Sequence, residues 1–145
     1  MKMSYVRNWI HAVWGTKSRQ PYLTKEVRGR LFSHIKENAK GKGIHIDCIN
    51  GYLDHVHCLI ALNADRSIAE TMQLIKGESS RWANKNKVLS GSLEWADDYF
   101  AVSVSESQLD KVRAYIINQE EHHRKVTFAE EYEAFIKKYK FDNQG

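Results

Sequence analysis

Four short segments of the chain carry the alternating or β-branched apolar patterns that predict β-strands. They cover residues 5–16, 44–48, 52–62 and 99–104. The dipeptide Asn50-Gly51 lies between the second and third segments and has the chemistry of a tight turn. We therefore expect the second and third strands to pair as an antiparallel hairpin.

Apolar residues spaced three or four positions apart predict amphipathic helices between and after the strands. The first helix follows the spacing of Leu23, Val27, Leu31 and Ile35 and ends at Gly41. The second opens at Ser67, where Glu70 three positions later completes the form of a capping box, and runs to about residue 87. Residues 88–98 are predicted to form a loop.

A third helix is predicted after the last strand, with a cap at Ser107. Its apolar stripe consists of Leu109, Val112 and Ile116. The resulting order is strand, helix, strand, strand, helix, strand, helix. The first six elements match the split βαβ, ferredoxin-like pattern: an α+β fold with a four-stranded antiparallel sheet and both crossover helices on one face. The other face is predicted to be open, so that the added C-terminal helix or a partner subunit can meet it.

The third strand contains two histidines on the same face of the sheet, because strand side chains alternate. Val56, Cys58 and Ile60 are assigned to the helix-covered face, which leaves His55 and His57 on the other face. Two imidazoles one residue apart can bind one metal ion. This is a weak signal alone, since histidine pairs also occur in ordinary sheets.

Tyr115 and Gln119 are four residues apart in the third helix and therefore share one side of it, at the border of the apolar stripe. Tyr115 is the candidate nucleophile and Gln119 the candidate third ligand beside His55 and His57. A set of two imidazoles and an amide is poor for structural zinc. It suits Mg²⁺ or Mn²⁺, which also bind phosphate oxygens. Together these residues indicate metal-assisted attack of a phenol on a phosphodiester.

The composition fits one domain covering residues 1–145, because 145 residues with 42% hydrophobic content suffice for one core. No segment reaches the roughly 20 apolar residues of a membrane span, and residues 1–7 lack a signal-peptide core. We expect a cytoplasmic protein with no membrane partner. The net charge of +4 favours a polyanionic partner. Seven basic side chains are candidate nucleic-acid contacts: Lys17, Arg19, Arg81, Lys85, His122, Arg124 and Lys125.

The sequence contains no P-loop, no dinucleotide-binding fingerprint and no Ser-His-Asp order. Two alternatives to an enzyme that attacks a phosphodiester bond remain open. One is a catalytically silent, or domesticated, regulator of the same fold that binds DNA or RNA hairpins. The other is a zinc-dependent two-histidine hydrolase, which is disfavoured because no third nitrogen, sulfur or carboxylate ligand is evident.

The chain resembles the HUH-type single-strand transposases of the smallest bacterial insertion sequences and the related REP-associated tyrosine transposases. The motif His55-Val56-His57, Tyr115 with Gln119 four residues later, and the basic ferredoxin-like chain carry this resemblance. It implies that His55, His57 and Gln119 hold a divalent cation and that Tyr115 forms a 5′-phosphotyrosine link to single-stranded DNA. It also implies recognition of hairpin ends, and a homodimer joined through the sheets in which one subunit's tyrosine helix can serve the other's histidines.

Overall fold

The computed structural model of the chain describes residues 5–139. The strands are β1 Trp9–Gly15, β2 His45–Tyr52, β3 His55–Ala61 and β4 Phe100–Val104. The helices are α1 Lys25–Gly41, α2 Ile68–Lys85, α3 Leu109–Ile117, α4 Gln119–His123 and α5 Phe128–Lys138. Short 3-10 turns lie at Lys17–Arg19 and Glu106–Gln108.

The four strands form one antiparallel sheet in the order β2-β3-β1-β4. This order and the two crossover helices confirm the predicted ferredoxin-like α+β fold. The cap predicted for the second helix is also confirmed, because the Ser67 side chain accepts a hydrogen bond from the Glu70 backbone N–H. Among the described residues, no helix is both long and apolar enough to cross a membrane.

The main core lies between the sheet and helices α1 and α2. Strand residues Ala12, Trp14, Val56 and Cys58 contribute to this core. Helix residues Leu31, Ile35, Met72 and Ile75 cover them. Alternation along β1 and β3 therefore turns the neighbouring odd-numbered residues, including both histidines of the β3 motif, to the opposite face.

That opposite face is met by the third helix, one of the two arrangements expected, and by a further helix, so it is not left open. Helix α3 packs Leu109 and Ile116 against Trp9 and Leu59, while α5 packs Phe128 against the β1 and β4 side of the sheet. The predicted third helix thus meets the sheet of its own chain, and the unpredicted α5 covers most of what remains. An exposed apolar face therefore gives no reason for a dimer, and the homodimer stays a prediction.

The hairpin turn predicted at Asn50-Gly51 is wrong. Both residues lie within β2, and the turn consists of residues 53 and 54. A Cβ atom at Gly51 would lie 2.1 Å from the backbone oxygen of His55, so glycine allows the two strands to approach closely here. The Asn50 side-chain amide donates to the backbone oxygens of Ile116 and Ile117, 3.0 and 2.9 Å away, and caps the end of α3.

Three further boundaries differ from the predictions. Residues 5–8 precede β1 instead of beginning it, and Ser107 does not cap α3, because its hydroxyl contacts that of Ser105. The third helix ends at Ile117, so Gln119 begins the separate helix α4. Helix α5 follows at a complete capping box, in which Thr127 and Glu130 exchange hydrogen bonds.

Candidate active site

The centre of the site is the histidine pair of β3. Both His55 and His57 are fully buried, with 0% of their surface exposed. The ring of Phe128 stacks parallel on that of His55 at 4.2 Å between centroids. Gly15 makes room for this contact, because a Cβ atom there would lie 2.7 Å from the Phe128 ring.

Each imidazole of the pair is oriented through its Nδ1 atom. His55 Nδ1 lies 2.9 Å from Asp54 Oδ1, and because a carboxylate only accepts, His55 donates this hydrogen bond. His57 Nδ1 lies 2.9 Å from His11 Nε2. Burial lowers the pKa of His11 to about 3 and that of His57 to about 4, so both rings are neutral near pH 7. The Nε2 atoms of the pair face the centre of the site.

Helix α4 brings two more side chains to this centre. The side-chain oxygen of Gln119 lies 3.1 Å from His55 Nε2 and 3.0 Å from His123 Nε2. Its amide nitrogen donates to the Tyr115 backbone oxygen at 3.0 Å, which fixes the orientation of the amide. His123 donates from Nδ1 to the Val126 backbone oxygen at 2.6 Å, so its Nε2 atom also points inward.

Helix α5 contributes Glu131, which is 3% exposed. One carboxylate oxygen lies 3.1 Å from His57 Nε2, 3.5 Å from His55 Nε2 and 3.4 Å from His123 Nε2. Burial raises the pKa of Glu131, but hydrogen bonds from His123 and His57 outweigh it and hold this pKa well below its usual range. Glu131 is therefore a carboxylate at the point where three imidazoles converge.

The Tyr115 hydroxyl donates a short hydrogen bond to the second oxygen of Glu131. His122 Nε2 lies 3.3 Å from this hydroxyl and 3.0 Å from the same carboxylate oxygen. Burial, followed by the contact with Glu131, raises the pKa of Tyr115, so the phenol is held in its protonated form. The candidate nucleophile thus lies directly beside the histidine and carboxylate cluster.

A cavity of about 610 Å³ opens beside Tyr115, between α3, α5 and the β4 end of the sheet. Lys111 and Lys138 line it together with Ser103, Ser105 and Gln108. It gives the half-buried tyrosine a route to solvent that carries positive charge.

The structure brings together five of the predicted site residues: His55, His57, Tyr115, Gln119 and His122. The other candidate DNA contacts lie apart from this centre. Lys17 pairs with Glu94 at 3.1 Å and Arg124 with Glu121 at 3.2 Å. Arg19 lies over the Phe128 ring at 5.4 Å, Lys125 is exposed, and Arg81 and Lys85 belong to α2, behind the sheet.

Sequence reasoning missed four residues of the site, namely His11, Asp54, His123 and Glu131. No third nitrogen or carboxylate ligand is evident from the sequence, but the structure places both groups beside the pair, on His123 and Glu131. Two signals were present in the sequence. Asp54 directly precedes the histidine motif, and Thr127-x-x-Glu130 is a helix start followed at once by Glu131.

Comparison with known proteins identifies the family of the chain. The family model described as "Transposase IS200 like" matches residues 4–119, most of the chain. The chain belongs to the IS200-like transposase family. The matched span includes His55, His57, Tyr115 and Gln119 and ends before His123 and Glu131.

One curated relative of this IS200-like transposase is the ISDra2 transposase TnpA of Deinococcus radiodurans, 28% identical over 115 residues that cover 75% of this chain and 81% of the relative. A crystal structure of a D. radiodurans protein assigned as a transposase has a TM-score of 0.62 and 28% identity, over 82% of this chain and 98% of that one. A REP-associated tyrosine transposase bound to a REP hairpin has a TM-score of 0.47 and 15% identity, over 80% and 67%.

Proposed function

We propose that this transposase cleaves and rejoins single-stranded DNA through a covalent 5′-phosphotyrosine intermediate on Tyr115. We further propose that it depends on Mg²⁺ or Mn²⁺, held by His55, His57 and Gln119. The observation that carries the proposal is one shared contact: the Glu131 carboxylate meets the Tyr115 hydroxyl on one side and His57 Nε2 on the other. The proposed nucleophile and a proposed cation ligand therefore contact the same carboxylate.

The donor set fits a divalent cation. The imidazoles have inward Nε2 atoms, the Gln119 oxygen lies beside them, and a carboxylate supplies negative charge. A bound cation at these residues would polarise the scissile phosphate and stabilise the oxygen that leaves it.

The proposed bond changes are balanced within the site. The Tyr115 oxygen bonds to phosphorus, the bond from phosphorus to the 3′ oxygen breaks, and the leaving strand takes a proton to become a 3′-hydroxyl. The phenolic proton has two acceptors in reach, Glu131 and His122. Rejoining is the reverse: a 3′-hydroxyl attacks the phosphotyrosine and Tyr115 is released. Because the ester keeps the energy of the cleaved bond, no ATP is required.

The cavity beside Tyr115 supports a single strand as the substrate. A phosphate that enters between Lys111 and Lys138 meets two cations on its way to the Tyr115 hydroxyl. Aromatic and basic lining residues suit an unpaired strand, whose bases stack on rings and whose phosphates contact lysines. We propose that a DNA hairpin at the end of the transposable element presents such an unpaired strand.

The decisive experiment compares Tyr115→Phe with the wild type and with Tyr132→Phe. Tyr132 is a matched control, since it lies on α5 with its hydroxyl bound to Asp98, away from the cluster. Incubation with a cognate strand and Mg²⁺ or Mn²⁺ should give a denaturant-resistant protein–DNA adduct and a free 3′-hydroxyl with the wild type and with Tyr132→Phe. Tyr115→Phe should give none, and EDTA should stop the reaction.

An adduct on Tyr115→Phe, or peptide mapping that places the DNA on another residue, would refute the assigned nucleophile. Full cleavage in excess EDTA would refute the metal dependence. Hairpin binding by the wild type without any adduct would instead support the silent-regulator alternative.

A further inference from the structure

We propose that two further side chains hold the cation of this transposase: His123 and Glu131 complete the site with His55, His57 and Gln119. We also propose that this site binds Mn²⁺ and other transition-metal ions more tightly than Mg²⁺. The inference rests on the proposed metal dependence and extends it to two residues beyond the span that the family model matches.

The first support is the orientation of the three imidazoles. Each ring is held at Nδ1 by a different group: Asp54 for His55, His11 for His57 and the Val126 backbone oxygen for His123. Metal-binding histidines characteristically donate one ring N–H to such a partner and bind the metal with the other nitrogen. Three rings, from strand β3 and helix α4, therefore have the orientation that is typical of metal-binding histidines.

The second support is the character of the atoms that face one another. His55 and His123 both direct Nε2 at the side-chain oxygen of Gln119, at 3.1 and 3.0 Å, and His57 directs Nε2 at Glu131, at 3.1 Å. Imidazole nitrogens, an amide oxygen and a carboxylate that converge in a buried site form a donor set that suits a divalent cation. A cation at this point satisfies all of them together.

The third support is the placement of Glu131. Ligand atoms of the three histidines and this carboxylate all lie within 4.8 Å of one another. Glu131 is buried, and its carboxylate makes polar contacts with those histidines, with His122 and with Tyr115. A buried carboxylate is costly unless it is paired, and a divalent cation would pair it.

The donor types decide the preferred ion. Imidazole suits transition-metal ions, whereas Mg²⁺ favours oxygen ligands and retains several waters. Three nitrogens in the site therefore favour Mn²⁺ over Mg²⁺, and Co²⁺ over Mn²⁺.

The test measures metal binding directly, without DNA. Calorimetric titration of the full chain with MnCl₂ and MgCl₂ should give tighter binding of Mn²⁺ by at least about tenfold. Outer partners of metal ligands are already worth about 10–100-fold in affinity, so His123→Ala and Glu131→Gln should each weaken Mn²⁺ binding by at least about tenfold. The exposed His45→Ala and Glu133→Gln are the matched controls and should bind as the wild type does.

A second measurement counts the histidines. In the Co²⁺-loaded protein, each bound imidazole that carries a proton on Nδ1 gives one strongly shifted NMR signal that disappears in D₂O. The wild type should give three such signals and His123→Ala two. Circular dichroism of each variant verifies that it is folded.

Two signals in the wild type, with unchanged Mn²⁺ affinity in His123→Ala and Glu131→Gln, would overturn the inference. If His57→Ala still abolished binding in that case, the proposed two-histidine site would stand. Equal affinities for Mn²⁺ and Mg²⁺ would overturn the stated preference, and failure of the wild type to bind any of these ions would overturn the metal role itself.

Discussion

At the scale of single residues, the site depends on which nitrogen of each histidine carries the proton. Asp54 accepts a hydrogen bond from His55 Nδ1, and the other ring nitrogen, Nε2, is directed at the cluster. Asp54 is also a residue of the turn between β2 and β3. The turn and the orientation of His55 therefore depend on neighbouring positions in the sequence. The side chain directly before the motif is therefore part of it.

We predict that Asp54→Ala weakens Mn²⁺ binding by about 10–100-fold, because His55 loses the partner that fixes its tautomer and ring orientation. The fold should persist, since the hydrogen bond that Thr16 donates to position 54 involves only its backbone oxygen. Calorimetric titration measures the effect, with the exposed Asp65→Ala as the control. Unchanged affinity in Asp54→Ala would show that His55 does not need this partner.

At the scale of elements, α3 is clamped to the edge strand β2, and this clamp positions Tyr115. The pairing of β2 with β3 is irregular between Ile46 and Cys48, and the residue between them, Asp47, binds Arg113 of α3 at 2.8 and 3.0 Å through both carboxylate oxygens. A bulge redirects a side chain in this way. At the end of α3, the Asn50 side chain caps the helix. The chain then begins the separate helix α4, which carries Gln119 and His123.

We predict that Asp47→Asn lowers the free energy of unfolding by about 1 kcal/mol at pH 7, because it removes the charge from a partly exposed, bidentate ion pair. The Arg113 hydrogen bonds lower the pKa of Asp47. This stabilisation is therefore complete above the unfolded-state pKa of about 4 and is lost as the pH falls through the lower, folded-state value.

Denaturant unfolding at pH 7 and at successively lower pH measures this difference, which should disappear in acid. Asp110→Asn is the control, because that carboxylate also contacts Arg113 but its side chain is 98% exposed. A constant difference between Asp47→Asn and the wild type down to pH 2 would contradict the assignment.

At the scale of the whole molecule, the question is whether one subunit or two supply the residues of a site. Tyr115 on α3 meets the β3 histidines of its own sheet, and α5 closes over both. The family resemblance predicts a homodimer that can exchange its tyrosine helices, whereas this arrangement has no exchange. The two descriptions predict different behaviour for mixed variants.

We predict that mixing Tyr115→Phe with His57→Ala restores no adduct formation. In each chain the remaining wild-type group, either Tyr115 or His57, faces a substituted partner in the same site. Light scattering of the mixture at micromolar concentration reports whether dimers form, and co-refolding of the two variants ensures exchange of subunits. Recovery of about a quarter or more of wild-type activity would show that the tyrosine of one subunit serves the histidines of another.

The sequence by itself determined the features that depend on neighbours along the chain. Period-two and period-3.6 patterns predicted four strands and three helices, and the i, i+2 and i, i+4 spacings placed His55 with His57 and Tyr115 with Gln119. These relations follow from backbone geometry, which is the same in any fold. Asn50-Gly51 led to a wrong prediction of a turn, because the preference of this dipeptide for turns is a local property. In the structure, Asn50 instead caps a helix end 66 residues away in the sequence.

Only the tertiary structure decided how the remaining site residues converge. His11, His123 and Glu131 come from β1, α4 and α5, and no local pattern relates their positions. Glu131 belongs to a helix that the capping box starts, but the face it buries depends on where Phe128 packs, and that in turn depends on the space left by Gly15. Packing between distant elements, not propensity, therefore determines that a carboxylate lies between the histidines and the tyrosine.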